Sequence, residues 1–155
     1  DQFELLPIEL LRARVAWAQG DAAGVERHAR AALEFVDALL AKYPTDYRAW
    51  ASRAEALAML GETTAAQEAL DQAFAQQVPV RDVLIRSELL ARAALIRALF
   101  EPPERVAAAL DDYLDLEMKY WHFDGLILHP YLQRYRDYPA FQALAAKYSR
   151  KEAAL

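Results

Sequence analysis

The chain has 155 residues, which is enough for one domain with its own hydrophobic core. Its net charge is −5, and its Lys and Arg residues are scattered among Asp and Glu, which excludes the basic stripe typical of nucleic-acid-binding proteins. It has no cysteine, which excludes disulfides, thiolate zinc sites and a cysteine nucleophile.

The sequence has no signal peptide and no apolar run near the roughly 20 residues needed to cross a membrane. We therefore expect no membrane insertion. The chain begins with Asp1 rather than Met, so we expect a processed form or a piece of a longer protein. The lack of cysteine is compatible with either side of an inner membrane, and we favour the cytoplasm over the periplasm.

Residues 3–44 are predicted to form the first helical hairpin. Its first helix, over residues 3–18, has apolar positions three or four residues apart at Leu6, Leu10, Ala13 and Trp17. Gln19-Gly20-Asp21 then predicts a turn, with Asp21 as the N-cap of the second helix. That helix is predicted over residues 21–43, before Pro44.

Residues 46–78 are predicted to form a second hairpin, capped by Thr45 or Asp46. Apolar residues share one face of each helix, and Gly61 can adopt the left-handed conformation that ends the first helix. The pattern consists of Trp50, Ala54, Leu57, Gly61, Ala66, Leu70 and Ala73. It closely resembles a tetratricopeptide repeat (TPR).

The TPR resemblance implies a right-handed superhelix of stacked helix hairpins, because one hairpin cannot bury its own apolar face. Gly20 and Gly61 are 41 residues apart, whereas the family's repeat is about 34 residues long. The excess of about two helical turns predicts an extended second helix in the first repeat. This helix, residues 21–43, is a candidate surface for self-association.

Residues 82–120 are predicted to form a degenerate third repeat. Asp82 would cap a helix over residues 83–100, and two prolines replace the usual turn glycine before a helix that runs towards Tyr120. Residues 121–155 contain seven large aromatic side chains, and we interpret them as a capping segment that closes the stack. Part of it, HPYLQRYRDYPAFQAL, resembles the end of TPR regions in bacterial multi-domain regulators.

No pattern of residues indicates catalysis or a metal site, so we expect a protein without enzymatic activity or cofactor. His28 is expected in a solvated position, and His122 and His129 are expected to cap or bridge backbone groups in an irregular loop. The acidic residues Asp111, Asp112, Asp115 and Glu117 are expected to form a solvated face, on which 111 and 115 share one side of a helix.

The TPR resemblance implies that the first helix of each hairpin lines a concave groove that binds a peptide or a partner helix. Carried onto this sequence, the candidate groove residues are Arg14, Trp17, Arg48, Glu55, Met59, Leu90 and Arg97. The arginines suit a partner carboxylate. TPR proteins that clamp chaperone C-termini need Lys and Asn where this chain has Ala51 and Glu55, which argues against that ligand.

The predicted function is therefore a protein-interaction module, a scaffold or sensor part of a larger bacterial protein. Two alternatives stay open. One is a small-molecule sensory domain of a regulator, with its ligand in the groove or in the aromatic segment. The other is a module for self-association through residues 21–43.

Overall fold

The computed structural model describes residues 4–77, 82–119 and 121–152, and every regular element among them is helical. The prediction of an all-α protein is confirmed. The superhelix, the number of repeats and the single-domain division stay predictions. The helices are α1 (Ile8–Gln19), α2 (Ala22–Leu40), α3 (Tyr47–Met59), α4 (Thr63–Gln77), α5 (Val83–Arg97), α6 (Pro103–Leu114), α7 (Phe123–Leu126) and α8 (Pro139–Glu152), with a 3-10 helix at Gln133–Tyr135.

The chain consists of two compact units, Asp1–Arg81 and Asp82–Leu155. In the first unit α1 packs on α2, α2 on α3, and α3 on α4. The second unit holds α5 on α6, with α8 packed on both α6 and α7.

The turns of the first unit form at the glycine and aspartate residues that the sequence predicted. Gly20 and Gly61 end α1 and the turn after α3 with φ angles of 72° and 78°, which side chains other than glycine rarely adopt. Asp21 accepts a hydrogen bond from the Gly24 backbone N–H at 2.9 Å and caps α2. Asp46 caps α3 in the same way through the Arg48 N–H at 3.0 Å. The predicted caps at Asp21 and Asp46 are confirmed.

The helix α2 has 19 residues, and its apolar side faces α1 and α3. Val36 and Leu40 of α2 pack with Ala49 of α3 in a buried cluster. His28, expected in a solvated position, instead contacts Glu9 of α1, with 2.6 Å between Nδ1 and Oε2. The interaction pairs two residues that are 19 positions apart, which the local sequence around His28 does not reveal.

The second unit begins with the predicted cap. The Asp82 carboxylate accepts hydrogen bonds from the backbone N–H groups of Leu84 and Ile85 at 2.8 and 3.2 Å. The helix α6 ends at Leu114, earlier than expected, because the Lys119 ammonium donates to the carbonyls of Leu114 and Leu116 and closes the helix end.

The aromatic segment is mostly core. Five of its seven large rings are buried, and Trp121 and Tyr138 are 43% and 44% exposed. The Tyr135 hydroxyl lies 3.0 Å from the Ala98 carbonyl and 2.9 Å from the Glu101 carbonyl, at the end of α5. The five buried rings are those of Phe123, Tyr131, Tyr135, Phe141 and Tyr148.

No described helix combines the length and the apolar composition required to span a bilayer.

Candidate functional site

The seven candidate groove residues divide between the two units. Arg14 and Trp17 belong to α1, and Arg48, Glu55 and Met59 belong to α3. Leu90 and Arg97 belong to α5 in the second unit. Each group is described within its own unit.

Arg14 and Glu55 form a buried ion pair between α1 and α3. Arg14 Nε lies 2.6 Å from Glu55 Oε1, and Nη2 lies 2.8 Å from Oε2, so the contact is bidentate. Arg14 Nη2 also donates to Glu4 at 3.1 Å. The Glu55 side chain is only 1% exposed, whereas that of Arg14 is 20% exposed. The guanidinium therefore neutralises a buried carboxylate of its own chain.

The segment before α1 lies against the same helices. The Ser52 hydroxyl on α3 donates to the Leu5 carbonyl, and Leu5 packs on the buried cluster of α2 and α3. Together with the contact between Glu4 and Arg14, this bond fixes the chain in front of α1. The segment thus covers part of the α1 and α3 surface.

Arg48 is also engaged with its own chain. Its Nε and Nη2 atoms lie 3.0 and 2.9 Å from the two carboxylate oxygens of Asp46. Burial alone would raise the pKa of Asp46, but the hydrogen bond and charge of Arg48 outweigh it and hold that pKa below the usual value. The Arg48 side chain therefore stabilises the start of α3.

The two candidates of the second unit are half-buried. Arg97 lies 3.8 Å from Glu101 in an ion pair one helical turn apart, and its side chain is 28% exposed. Leu90 lies on α5, and the adjacent residues of that helix, Leu89 and Ala91, are buried. Every candidate arginine is thus in an ion pair with an acidic residue of the chain itself.

Trp17 and Met59 meet at an open pocket of about 570 Å³ in the first unit. We call it the Trp17 pocket. Its walls come from the end of α1, the start of α2 and the end of α3, and the exposed ion pair of Glu26 and Arg30 (2.9 Å) lies at its edge. Its lining residues are Trp17, Gly20, Ala22, Val25, Glu26, Arg30, Met59 and Leu60.

The sequence predicted two of these lining residues and missed the others. Ala22 and Val25 were expected only as positions of the helix over residues 21–43, in its first turn after Gly20. The turn at Gly20 brings the start of α2 beside the end of α1. The position of these residues after a predicted glycine turn is therefore the sequence signal for this wall of the Trp17 pocket.

The helix α3 is buried around most of its circumference. Ala51, Glu55 and Ala58 of α3 are 1%, 1% and 5% exposed. Met59 is 7% exposed. A partner of this molecule therefore has access to α3 mainly at its end, where Met59 and Leu60 border the Trp17 pocket.

Asp112, Asp115 and Glu117 are exposed, as expected for a solvated face. Asp111 and Asp115 in addition form a docking site for α8. Asp111 and Asp115 share one side of α6, as predicted, and both contact Lys147 of α8 at 2.6 and 3.1 Å. The Tyr148 hydroxyl lies 2.7 Å from Asp111 and 2.8 Å from Asp115. Asp112 points elsewhere and is exposed.

These hydrogen bonds shift the pKa values of two side chains in the docking site. The ammonium of Lys147 and then the hydroxyl of Tyr148 lower the pKa of Asp111. Burial of the ring and the hydrogen bond to Asp111 raise the pKa of Tyr148. At neutral pH the Asp111 carboxylate is therefore ionised and the Tyr148 phenol is neutral, which suits a structural clamp.

The histidines and acids do not gather into a metal centre anywhere in residues 4–77, 82–119 and 121–152. His129 accepts a long hydrogen bond of 3.4 Å from the Tyr131 backbone N–H, so it bridges the backbone as predicted. His122 precedes α7.

The chain matches no protein-family model, no curated protein and no solved structure. The resemblance to the tetratricopeptide repeat therefore depends on the residues of this chain alone.

Proposed function

We propose that this protein is a non-enzymatic protein-interaction module of the TPR type and that the Trp17 pocket receives an apolar side chain of a partner peptide or helix. The TPR pattern in residues 46–78 and the helical hairpins of the first unit support the interaction role. We choose the Trp17 pocket as the binding surface because two candidate groove residues, Trp17 and Met59, line it together.

The lining of the pocket favours an apolar residue from the partner. Trp17, Val25, Met59 and Leu60 provide apolar surface, and desolvating such surface contributes about 25 cal/mol per Å². The volume of about 570 Å³ exceeds that of a single side chain, so a large aromatic or aliphatic residue with part of its backbone fits. A helix or extended segment would continue along the open edge.

The charges at the pocket favour a partner that is not strongly charged. Glu26 and Arg30 at the edge neutralise each other, and Arg14 is held by Glu55 and Glu4. A partner carboxylate would have to displace an existing acidic partner of Arg14. These ion pairs therefore favour a partner that inserts an apolar side chain over one that offers a carboxylate.

Blocking the pocket without removing core residues tests the proposal. Ala22 is exposed and lines the pocket, whereas its neighbour Ala23 is exposed and does not. Peptides would be selected from a displayed library against the wild type, and their affinities measured by calorimetry for Ala22→Trp and Ala23→Trp. We expect Ala22→Trp to weaken binding about tenfold or more and Ala23→Trp to leave it unchanged.

Enrichment of no peptide, or equal binding by both variants, would refute the pocket as the binding surface. A small-molecule sensory role is the second candidate, because a pocket of this volume is in the range of ligand sites. Thermal stabilisation by metabolites that Ala22→Trp abolishes, with no peptide selected, would favour that role.

A further inference from the structure

Residues 4–7, which precede α1, lie outside any helix and are extended at their end. Pro7 has φ and ψ angles of −56° and 143°, and the residue before a proline also favours extended backbone. The Pro7 carbonyl accepts a hydrogen bond from the Leu11 N–H at 3.1 Å, so the hydrogen bonds of α1 begin at this residue. We call the three residues in front of it, Glu4, Leu5 and Leu6, the strap.

The strap contacts the first unit through a carboxylate, a main-chain carbonyl and an apolar side chain. Glu4 Oε1 lies 3.1 Å from Arg14 Nη2, and the Leu5 carbonyl accepts a hydrogen bond from the Ser52 hydroxyl. Main-chain hydrogen bonds combined with side-chain contacts are how proteins hold an extended peptide. The Leu5 side chain packs on the buried cluster of Val36, Leu40 and Ala49. We call this cluster, with Arg14 and Ser52, the strap site.

Both polar groups of the strap site have another partner in the first unit. Arg14 binds Glu55 in a bidentate contact of 2.6 and 2.8 Å that does not involve Glu4. The Ser52 hydroxyl has one proton to donate, and the Arg48 carbonyl of its own helix lies 3.1 Å away as a second acceptor. Release of the strap therefore leaves neither the buried Glu55 carboxylate nor the Ser52 hydroxyl without a hydrogen bond.

The core of the first unit does not require the strap. The three strap residues are half-buried, whereas Pro7 behind them is buried. The cluster under Leu5 is formed by side chains of α2 and α3, which pack on each other directly. The strap site is therefore built by α1, α2 and α3, and the strap lies on it as a ligand would.

We propose that the strap is releasable and occupies a binding site for an extended segment of a partner protein in which an acidic residue is followed by leucine. The carboxylate of the partner replaces Glu4 at Arg14, and its leucine replaces Leu5 on the cluster, so the exchange leaves the charge of the site unchanged. Because the strap is attached directly to α1, its effective concentration at the site is of millimolar order. The partner has to compete with it, so the strap is an autoinhibitory element.

The strap site is a second surface, distinct from the Trp17 pocket. None of its five residues lines that pocket, so the proposal does not depend on ligand binding there. The chemistry of the two surfaces also differs. The Trp17 pocket favours an uncharged apolar side chain, whereas the strap site already holds a carboxylate and a leucine of the chain itself.

NMR titration of the full chain with the peptide Gly-Glu-Leu-Leu-Pro-Gly, which contains the sequence of residues 4–7, tests the proposal. The open variant, Glu4→Lys/Leu5→Asp, places a cation beside Arg14 and a carboxylate on the apolar cluster. Glu34→Lys/Phe35→Asp is the matched control, because both residues are exposed on α2. A closed strap requires a dissociation constant below its effective concentration, so we expect about 1 mM or lower for the open variant and about tenfold weaker binding for the wild type and the control.

Two further substitutions in the open variant locate the bound peptide. We expect Ser52→Ala to weaken binding about threefold or more, because it removes the donor to the peptide carbonyl, and Ala22→Trp in the Trp17 pocket to leave binding unchanged. The scrambled peptide Gly-Leu-Glu-Leu-Pro-Gly should bind neither protein.

The proposal is overturned if the open variant binds the peptide no better than the wild type, if the scrambled peptide binds equally well, or if Ala22→Trp abolishes binding. Circular dichroism supplies a separate criterion. An open variant that has lost its helical structure would show that the strap is part of the core and is not releasable, which also overturns the proposal.

Discussion

Asp111 is the titratable residue on which the docking of α8 most directly depends. Its pKa is lower in the folded protein than the ordinary value of 3.8, first because Lys147 donates to it and then because Tyr148 does. A carboxyl group with a lowered pKa stabilises the fold while it is ionised in both states. The contribution is therefore present above about pH 4 and is lost as the pH falls through the folded pKa.

This linkage predicts a pH-dependent difference between the wild type and Asp111→Asn. We expect the variant to unfold at a lower temperature at pH 7, and the two melting temperatures to converge as the pH falls from 4 towards 2. Thermal unfolding followed by circular dichroism at several pH values measures the difference. Asp112→Asn is the control, because Asp112 is exposed on the other side of α6. A difference that stays constant down to pH 2 would contradict the role of the ionised Asp111.

The backbone conformation at position 61 requires glycine, whereas the space around it does not. An added Cβ would meet nothing within 4 Å, but its φ of 78° disfavours any residue with a side chain. We expect Gly61→Ala to lower the free energy of unfolding by about 1 to 2 kcal/mol, measured by urea denaturation. Gly125→Ala is the control, because a Cβ there would be in ordinary contact with Trp121 at 3.5 Å and no positive φ opposes it. Equal effects of the two substitutions would refute the backbone explanation.

At the level of elements, the helix starts could be predicted from the sequence, whereas some ends could not. Asp21, Asp46 and Asp82 act through backbone groups two or three residues away, so local sequence is enough to identify them. The end of α6 depends on Lys119, which folds back onto the helix. The short helix α7 follows Trp121, whose backbone is bonded to the Tyr113 hydroxyl. Contacts in which the chain folds back on itself have no fixed spacing in the sequence, so a local pattern does not predict them.

In the candidate site, too, the sequence does not predict which side chains that are distant along the chain contact each other. The TPR resemblance placed Trp17 and Met59 in one candidate groove, and both line one pocket. The pairing of Arg14 with Glu55 crosses 41 residues, and the docking of Lys147 on Asp111 crosses 36. Composition and periodicity identify which face a charge lies on, but tertiary packing determines which opposite charge it meets.

The cap of α5 gives a prediction for one element. Asp82→Ala removes the acceptor for the Leu84 and Ile85 N–H groups, and we expect it to cost about 1 kcal/mol of unfolding free energy. Amide hydrogen exchange should accelerate most in the first turn of α5. Asp82→Asn keeps an accepting oxygen and serves as the control. Unchanged exchange in that turn for Asp82→Ala would show that another group caps the helix.

At the level of the whole molecule, charge controls how closely two copies can approach. The net charge is −5 at pH 7 and the isoelectric point is about 5.2, so repulsion between copies falls as the pH is lowered towards that value. The hydrogen bond from His28 lowers the pKa of Glu9 below 4.5. Glu9 therefore stays mostly ionised at pH 5.2, and its ion pair with Arg12 persists at that pH.

We therefore expect repulsion between copies to be weaker, and the second virial coefficient lower, at pH 5.2 than at pH 8. Added salt at pH 8 should produce part of the same change, because it screens the repulsion between negatively charged copies. Sedimentation equilibrium at both pH values measures the change. A second virial coefficient that is higher at pH 5.2 than at pH 8 would contradict this role of the net charge.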